Sequence, residues 1–325
     1  MEENIFQSRV DLGQLNEQVK KIRQEIGKVI VGQESMIDLL ITAILADGHE
    51  LIEGVHGVAK TLTAKLLSKV ISVHFSRIQF TPDLMPSDVL GTSVYNLKTS
   101  EFEFKAGPIF SNIVLIDEIN RAPAKTQSAL FEVMEEHQIT VDGTTHKMKE
   151  PYIVVATQNP VEQEGTYRLP EAQLDRFLFK IVVNYPDMEQ EVNILSRHHE
   201  RQGVQPVTEI NSILSAEQII AFRQFAHQVH VDSNLVRYIA RITHETRNNP
   251  MLFLGASPRA SIAILVSAKA YALIHGRDFV SPEDIKTIAL PVLRHRIVIS
   301  PEKEMEGVTA DEIIKQIIDK IEVPR

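Results

Sequence analysis

The sequence predicts a three-layer α/β unit, a parallel sheet covered by helices on both faces, followed by a smaller all-α unit. Three observations carry that reading. Residues 51–67, LIEGVHGVAKTLTAKLL, run from a short apolar segment through a glycine loop into an amphipathic helix. Residues 113–121, IVLIDEINR, begin as a four-residue apolar strand and present two carboxylates, Asp117 and Glu118, where it ends. Beyond Tyr185-Pro186-Asp187 the apolar spacing is helical almost throughout. The division falls there: residues 1–185 form the α/β unit, with two inserted hairpins, and 186–325 the helical lid.

From the N-terminus, residues 11–28 read as a helix with Leu15, Val19, Ile22 and Ile26 on one face. Lys20, Lys21 and Arg23 lie opposite, a pattern more often a solvated face than a binding patch. The turn Val31, Gly32, Gln33, Glu34 launches a second helix, with Ile37, Leu40, Ile41 and Ile44 at helical spacing. In a nucleotide-binding fold that turn is placed to lie against an adenine; a plain helix start explains it equally well.

The stretch 51–67 has the composition of a phosphate cradle. Backbone N–H groups must converge on phosphate oxygens, and glycines let the chain close around them. The positive end of the following helix faces the anion. In the pattern G-x-x-x-x-G-K-[ST], Gly54, Val55, His56, Gly57, Val58 and Ala59 form the loop, Lys60 reaches the β and γ phosphates of ATP, and the Thr61 hydroxyl ligates Mg²⁺. Ala59 stands where the last glycine is expected. Alone, the loop also fits a glycine turn before a surface helix. The second motif decides against that: Asp117 is placed to hold Mg²⁺ through water, and Glu118 to activate an attacking water as general base. A strand buried on both faces delivers them to the sheet edge where ligands sit.

Residues 76–80 read as a strand, and TPDLMPSDVLG, rich in proline and aspartate, as irregular. Segments 94–97 and 101–104, joined by Lys98, Thr99 and Ser100, form a hairpin inserted into the core. Pro123 opens a helix to about His137, with Leu130, Val133 and Met134 inward. A second hairpin, 138–141 with 145–148, flanks Asp142-Gly143, a strong two-residue turn. The two hairpins are effector elements or surface padding, with equal weight. Strand 152–156 ends near Asn159, an amide suited to orienting a water. A short helix over 169–177 carries Asp175 and Arg176, and strand 178–183 closes the sheet. Helices follow at about 187–202, 216–229, 233–247, 258–275, 282–293 and 309–321. Ser257 and Pro258 start the fourth of these, so Arg259 projects from its first turn, where it opposes the helix dipole.

The chain has 325 residues, 43% hydrophobic and 24% charged, the balance of a soluble globular protein. A formal charge of -9 argues against broad nucleic-acid binding. Without cysteine there are no disulfides, thiolate zinc sites or thiol nucleophiles. The start, MEENIFQSRV, has no apolar signal core, and the run 39–46 is too short to span a bilayer, so the expectation is a cytoplasmic protein without membrane insertion. The twelve histidines suggest no metal site: His198-His199 and His227/His230 lack a carboxylate at ligand spacing, and His244-Glu245 lacks a second histidine.

In this order the sequence resembles the AAA+ ATPases, and among them the MoxR family. The matching stretches are VGQE at 31–34, EGVHGVAKT at 53–61, FTPDLMPSDVLGT at 80–92, GPIFSNIVLIDEINRA at 107–122, VATQNP at 155–160, LPEAQLDRF at 169–177 and LGASPRA at 254–260. The resemblance implies a five-stranded core with a helical lid, assembled as a ring, usually a hexamer, with ATP and Mg²⁺ between subunits. By it Asn159 looks like the sensor-1 residue, Arg176 like the arginine finger that reaches a neighbour's γ-phosphate, and Arg259 like the sensor-2 arginine, acting on its own subunit or the neighbour. Arg168 is a rival for the finger. The hairpins look like the helix-2 insert and the pre-sensor insert. Implied work is chaperone-like remodelling or maturation of a protein partner, often one with a von Willebrand factor A domain. The alternatives are the ATPase subunit of a magnesium-chelatase-like complex, a nucleic-acid motor, for which no basic track exists, and a small-molecule kinase.

Overall fold

The computed structural model describes residues 7–55, 57–160, 166–167, 169–201 and 205–324. His56 and Arg168 of the predicted site lie outside the described residues. The chain begins with helices Gln7–Gly27 (α1) and Glu34–Leu45 (α2), then strand His49–Gly54 (β1), helix Lys60–Val70 (α3) and strand Phe75–Gln79 (β2). Helix Pro86–Leu90 (α4) leads into the hairpin Gly91–Asn96 (β3) and Glu101–Ala106 (β4). Strand Ile113–Asp117 (β5), helix Ala124–Glu136 (α5), the hairpin Gln138–Val141 (β6) and Thr144–Lys147 (β7), strand Ile153–Gln158 (β8), helix Glu171–Leu174 (α6) and strand Phe177–Val183 (β9) complete the α/β part.

The central sheet has five strands in the order β2-β5-β8-β1-β9, and every pairing in it is parallel. All five residues of β5 are buried, as a strand covered on both faces requires. Alternate side chains feed two cores. Leu51, Val114, Ile116, Val154 and Phe177 pack with Leu130, Phe131 and Met134 of α5. Ile52, Leu115, Val155 and Phe179 pack on the other face with α1, α2 and α3. That second core continues without a break into the C-terminal helices Ala216–Gln228 (after Met188–Glu200, α7, this is α8), Ser233–Asn248 (α9), Pro258–Ile274 (α10) and Pro282–Leu293 (α11). Two short strands, Leu252–Leu254 (β10) and Val298–Ile299 (β11), pair antiparallel within this part, and helices Pro301–Met305 (α12) and Ala310–Lys320 (α13) end it.

Residues 81–91 differ from expectation, because α4 forms where irregular chain was predicted. Pro86 occupies its first turn and the Asp88 carboxylate accepts the Met85 N–H at 2.9 Å, so a cap and a proline make a helix of five residues. The first hairpin is also longer than predicted. Its base is set by Gly91, at φ 100°, where a Cβ would lie 2.2 Å from the Lys105 carbonyl oxygen. The hairpins are joined: Ser93 donates to Asp142, and Phe104 stacks on His146 with ring centroids 4.2 Å apart. The tip of the first leaves Leu97 and Phe102 exposed.

Glu50 breaks the pattern of β1. It is 1% exposed and neither carboxyl oxygen has a hydrogen-bond partner among the described residues, so burial pushes its pKa well above the ordinary value. The folded chain therefore holds Glu50 protonated where the unfolded chain, with a pKa near about 4.3, has lost the proton. Stability from this residue falls as pH rises above that value. Glu50→Met is expected to stabilise by about 2 kcal/mol at neutral pH, and thermal melts at pH 5.5 and 8 should show the gain growing with pH.

Candidate nucleotide site

Because the strands are parallel, their C-terminal ends and the loops that follow share one edge of the sheet. Gly54, Asp117 and Gln158 stand there at the ends of β1, β5 and β8, and Gln79 at the end of β2. Ala59, the N-cap of α3, has φ 60° and ψ 16°, the left-handed conformation that makes glycine the usual choice; alanine accepts it at a cost of about 1 kcal/mol. Lys60 Nζ donates to the carbonyl oxygen of Gly54 and, at 3.4 Å, to that of Gln158, so it bridges the ends of two strands across the loop.

Asp117 is 6% exposed and crowded with donors. The Thr61 hydroxyl lies 3.3 and 3.4 Å from its two oxygens, Thr157 Oγ1 donates to Oδ1 at 3.1 Å, and Arg77 Nε donates to Oδ2 at 2.6 Å. Glu118 follows at φ 57°, a left-handed backbone that turns its carboxylate away from the strand line. Its N–H donates to Thr157 Oγ1 at 3.1 Å, Oε2 accepts from Gln79 Nε2 at 2.8 Å, and Arg121 Nε is ion-paired with Oε2 at 2.9 Å. Asn159 is buried just past the end of β8. A paired hydroxyl and carboxylate, a lysine at the loop mouth and a second carboxylate beyond form a donor set that fits a magnesium-bound triphosphate. Beside the loop a cavity of about 210 Å³ is lined by Val29, Val31, Val58, Leu62 and Ile194 together with Arg197, His198 and Arg201, a mixed lining that a planar base can enter. Val31 and Gln33 belong to the turn predicted to face an adenine.

Arg176 and Arg259 are not at this edge. The register of β1 with β9 sets Gly54 opposite Val183 and His49 opposite Phe177, so Arg176, one residue before Phe177, stands at the far end of the sheet. Six residues of strand make that roughly 20 Å. There Arg176 Nη1 donates to the Phe131 carbonyl oxygen at 2.9 Å and to Glu135 Oε2 at 3.1 Å, while Arg259 Nη2 is 3.6 Å from Glu135 Oε1. One carboxylate gathers both arginines. Asp175 beside them is fixed from the C-terminal part by Arg296, whose Nε donates to Oδ1 at 2.6 Å and whose other nitrogens bind the carbonyl oxygens of Asp175, Phe177 and Leu178. Sequence reasoning missed Arg77, Gln79, Glu135, Thr157 and Arg296. For Gln79 and Thr157 the strand ends were a usable signal; the others declare themselves only through contacts distant in sequence.

A family model described as ATPase family associated with various cellular activities (AAA) matches residues 49–179, and one described as AAA lid domain matches 244–317. The uncharacterized protein YeaC of Bacillus subtilis is 47% identical over 304 residues, 94% of this chain and 94% of its own. Chaperone MoxR1 of Mycobacterium tuberculosis is 42% identical over 310 residues, covering 93% of this chain and 81% of its own. A crystal structure from Cytophaga hutchinsonii superposes with a TM-score of 0.89 at 42% identity, over 97% of each chain. No helix among the described residues is long and apolar enough to cross a membrane. With the parallel sheet, the phosphate loop and relatives matched over nearly their whole length, the chain belongs to the MoxR family of AAA+ ATPases.

Proposed function

We propose that this chain hydrolyses ATP with Mg²⁺ at the junction between copies of itself in a closed ring, a hexamer, and uses the cycle to remodel or mature a protein partner. The observation that carries the reading is the position of Arg176. It stands at the end of the sheet opposite its own phosphate loop, with Arg259 beside it on Glu135, so both arginines serve a neighbour's nucleotide. Surfaces on the two sides support this. Met188, Val192 and Leu195 of α7 are exposed on one helix face while Ile194 of the same helix lines the cavity; Phe253 and Ile262 are exposed beside Arg259. A head-to-tail contact between two such different faces gives a ring when its rotation closes.

The roles follow from placement. Backbone N–H groups of Gly54 to Ala59 and Lys60 hold the phosphates. Thr61 and Asp117 would hold Mg²⁺, which neutralises phosphate charge when bound. Glu118 takes the proton of the attacking water, Asn159 orients that water, and Arg176 and Arg259 of the next subunit stabilise the departing charge. A protein with a von Willebrand factor A domain is the first partner to try. The deciding experiment is molar mass by light scattering with Mg²⁺ and ATP, with phosphate release on the same samples. A nucleotide-dependent ring that hydrolyses ATP is expected for the wild type, and for Arg176→Ala nucleotide binding without turnover. A wild-type monomer whose hydrolysis is indifferent to the substitution would overturn the proposal.

A further inference from the structure

Asp117 is ion-paired with Arg77. The carboxylate is 8% exposed, and a buried charge left without a partner is costly. Arg77 supplies the partner at 2.6 Å from a side chain that is 54% exposed and so has room to leave. The reason it reaches lies in the sheet. β2 is an edge strand; only Ile78 of its last three residues is buried, and Arg77 and Gln79 lie together on the opposite face by the two-residue period. In the parallel register Gln79 lies opposite Asp117 and Arg77 opposite Leu115, so Arg77 extends along the strand toward Asp117 while Gln79 meets the next residue, Glu118. The two are themselves joined, Arg77 Nη2 donating to Gln79 Oε1 at 3.3 Å, and Gln79 Nε2 donates onward to Glu118 Oε2 at 2.8 Å.

We propose that Arg77 is the resident counter-cation of Asp117 and that a divalent metal arriving with nucleotide displaces it. Arg77 is a positioning residue in this scheme: it touches neither phosphate nor water. The inference rests on the reading of Asp117 as a magnesium carboxylate.

The test uses the full chain, ADP so that nothing turns over, and Mn²⁺ as the probe, its free fraction read from its paramagnetic resonance signal. Arg77→Gln is expected to bind Mn²⁺ with ADP roughly tenfold more tightly than the wild type, since the competitor for Oδ2 is gone, with the difference shrinking at high salt. Gln79→Leu keeps Arg77 on Asp117 and should bind Mn²⁺ as the wild type does. Without metal the Arg77→Gln variant should melt below the wild type, with saturating Mg²⁺ and ADP closing the gap. Equal or weaker Mn²⁺ binding by Arg77→Gln would overturn the inference, because Arg77 would then support the carboxylate rather than occupy the metal's place. If that variant does not fold, Arg77→Met carries the same test: tighter than wild type supports displacement, equal or weaker removes it. Wild-type protein that binds ADP but no Mn²⁺ would instead remove the metal assignment of Asp117, and the inference with it.

Discussion

Glu118→Gln is expected to bind ATP as tightly as the wild type and to lose about a thousandfold in turnover. The size follows from what a positioned general base contributes, about a hundredfold to ten-thousandfold. The separation of binding from turnover follows from geometry. Glu118 lies past the end of β5; among the described residues its backbone N–H donates to Thr157 and its Oε2 meets Gln79 and Arg121. An amide of the same shape keeps an oxygen that accepts from Gln79 but loses the negative charge and with it the ability to take a proton. Phosphate release and fluorescent-nucleotide binding on one preparation check both halves. Full turnover by the variant would move the base elsewhere. Lys60, which bridges Gly54 and Gln158, makes the contrast: Lys60→Ala should lose nucleotide binding along with turnover.

The second large effect depends on two chains together. Arg176→Ala should lose about a thousandfold in turnover, the order that an arginine supplied from a neighbour contributes to phosphoryl transfer. Mixing it with Glu118→Gln, itself inactive, should restore about a quarter of wild-type hydrolysis. Each productive junction needs Glu118 from the subunit that holds the nucleotide and Arg176 from the next, and random mixing in a head-to-tail ring makes about one junction in four complete. Phosphate release measured after mixing at equal concentrations reads this directly. A mixture as inactive as its parts, at concentrations where the ring forms, would show that Arg176 works within its own subunit.

What the sequence discloses and what it hides divide along a physical line. The phosphate loop and the strand before Asp117 are legible because the chemistry is local: glycines, a lysine and a hydroxyl within a few residues, and carboxylates at the end of an apolar run. The helices of the C-terminal part are legible because each repeats its apolar spacing over several turns. By contrast α4 rests on one proline and one capping aspartate, and β10 and β11 are too short for an alternating pattern to exist. Glu135 looks like any surface acid of α5 until the fold brings Arg176 and Arg259 to it. Arg77 looks like the polar side of an edge strand, and only the register against β5 shows which carboxylate it faces.

One feature of the packing bears on how force travels through the molecule. The side chains that bury α1 and α2 are those that bury α8, α10 and α11, and Leu66 and Leu67 of α3 belong to the same cluster. The C-terminal part is therefore seated on the α/β part through a shared core and not joined to it at residue 186 alone. In the proposed ring, a load on this part would pass through close-packed side chains into the helix that begins at Lys60, where the phosphates are proposed to sit.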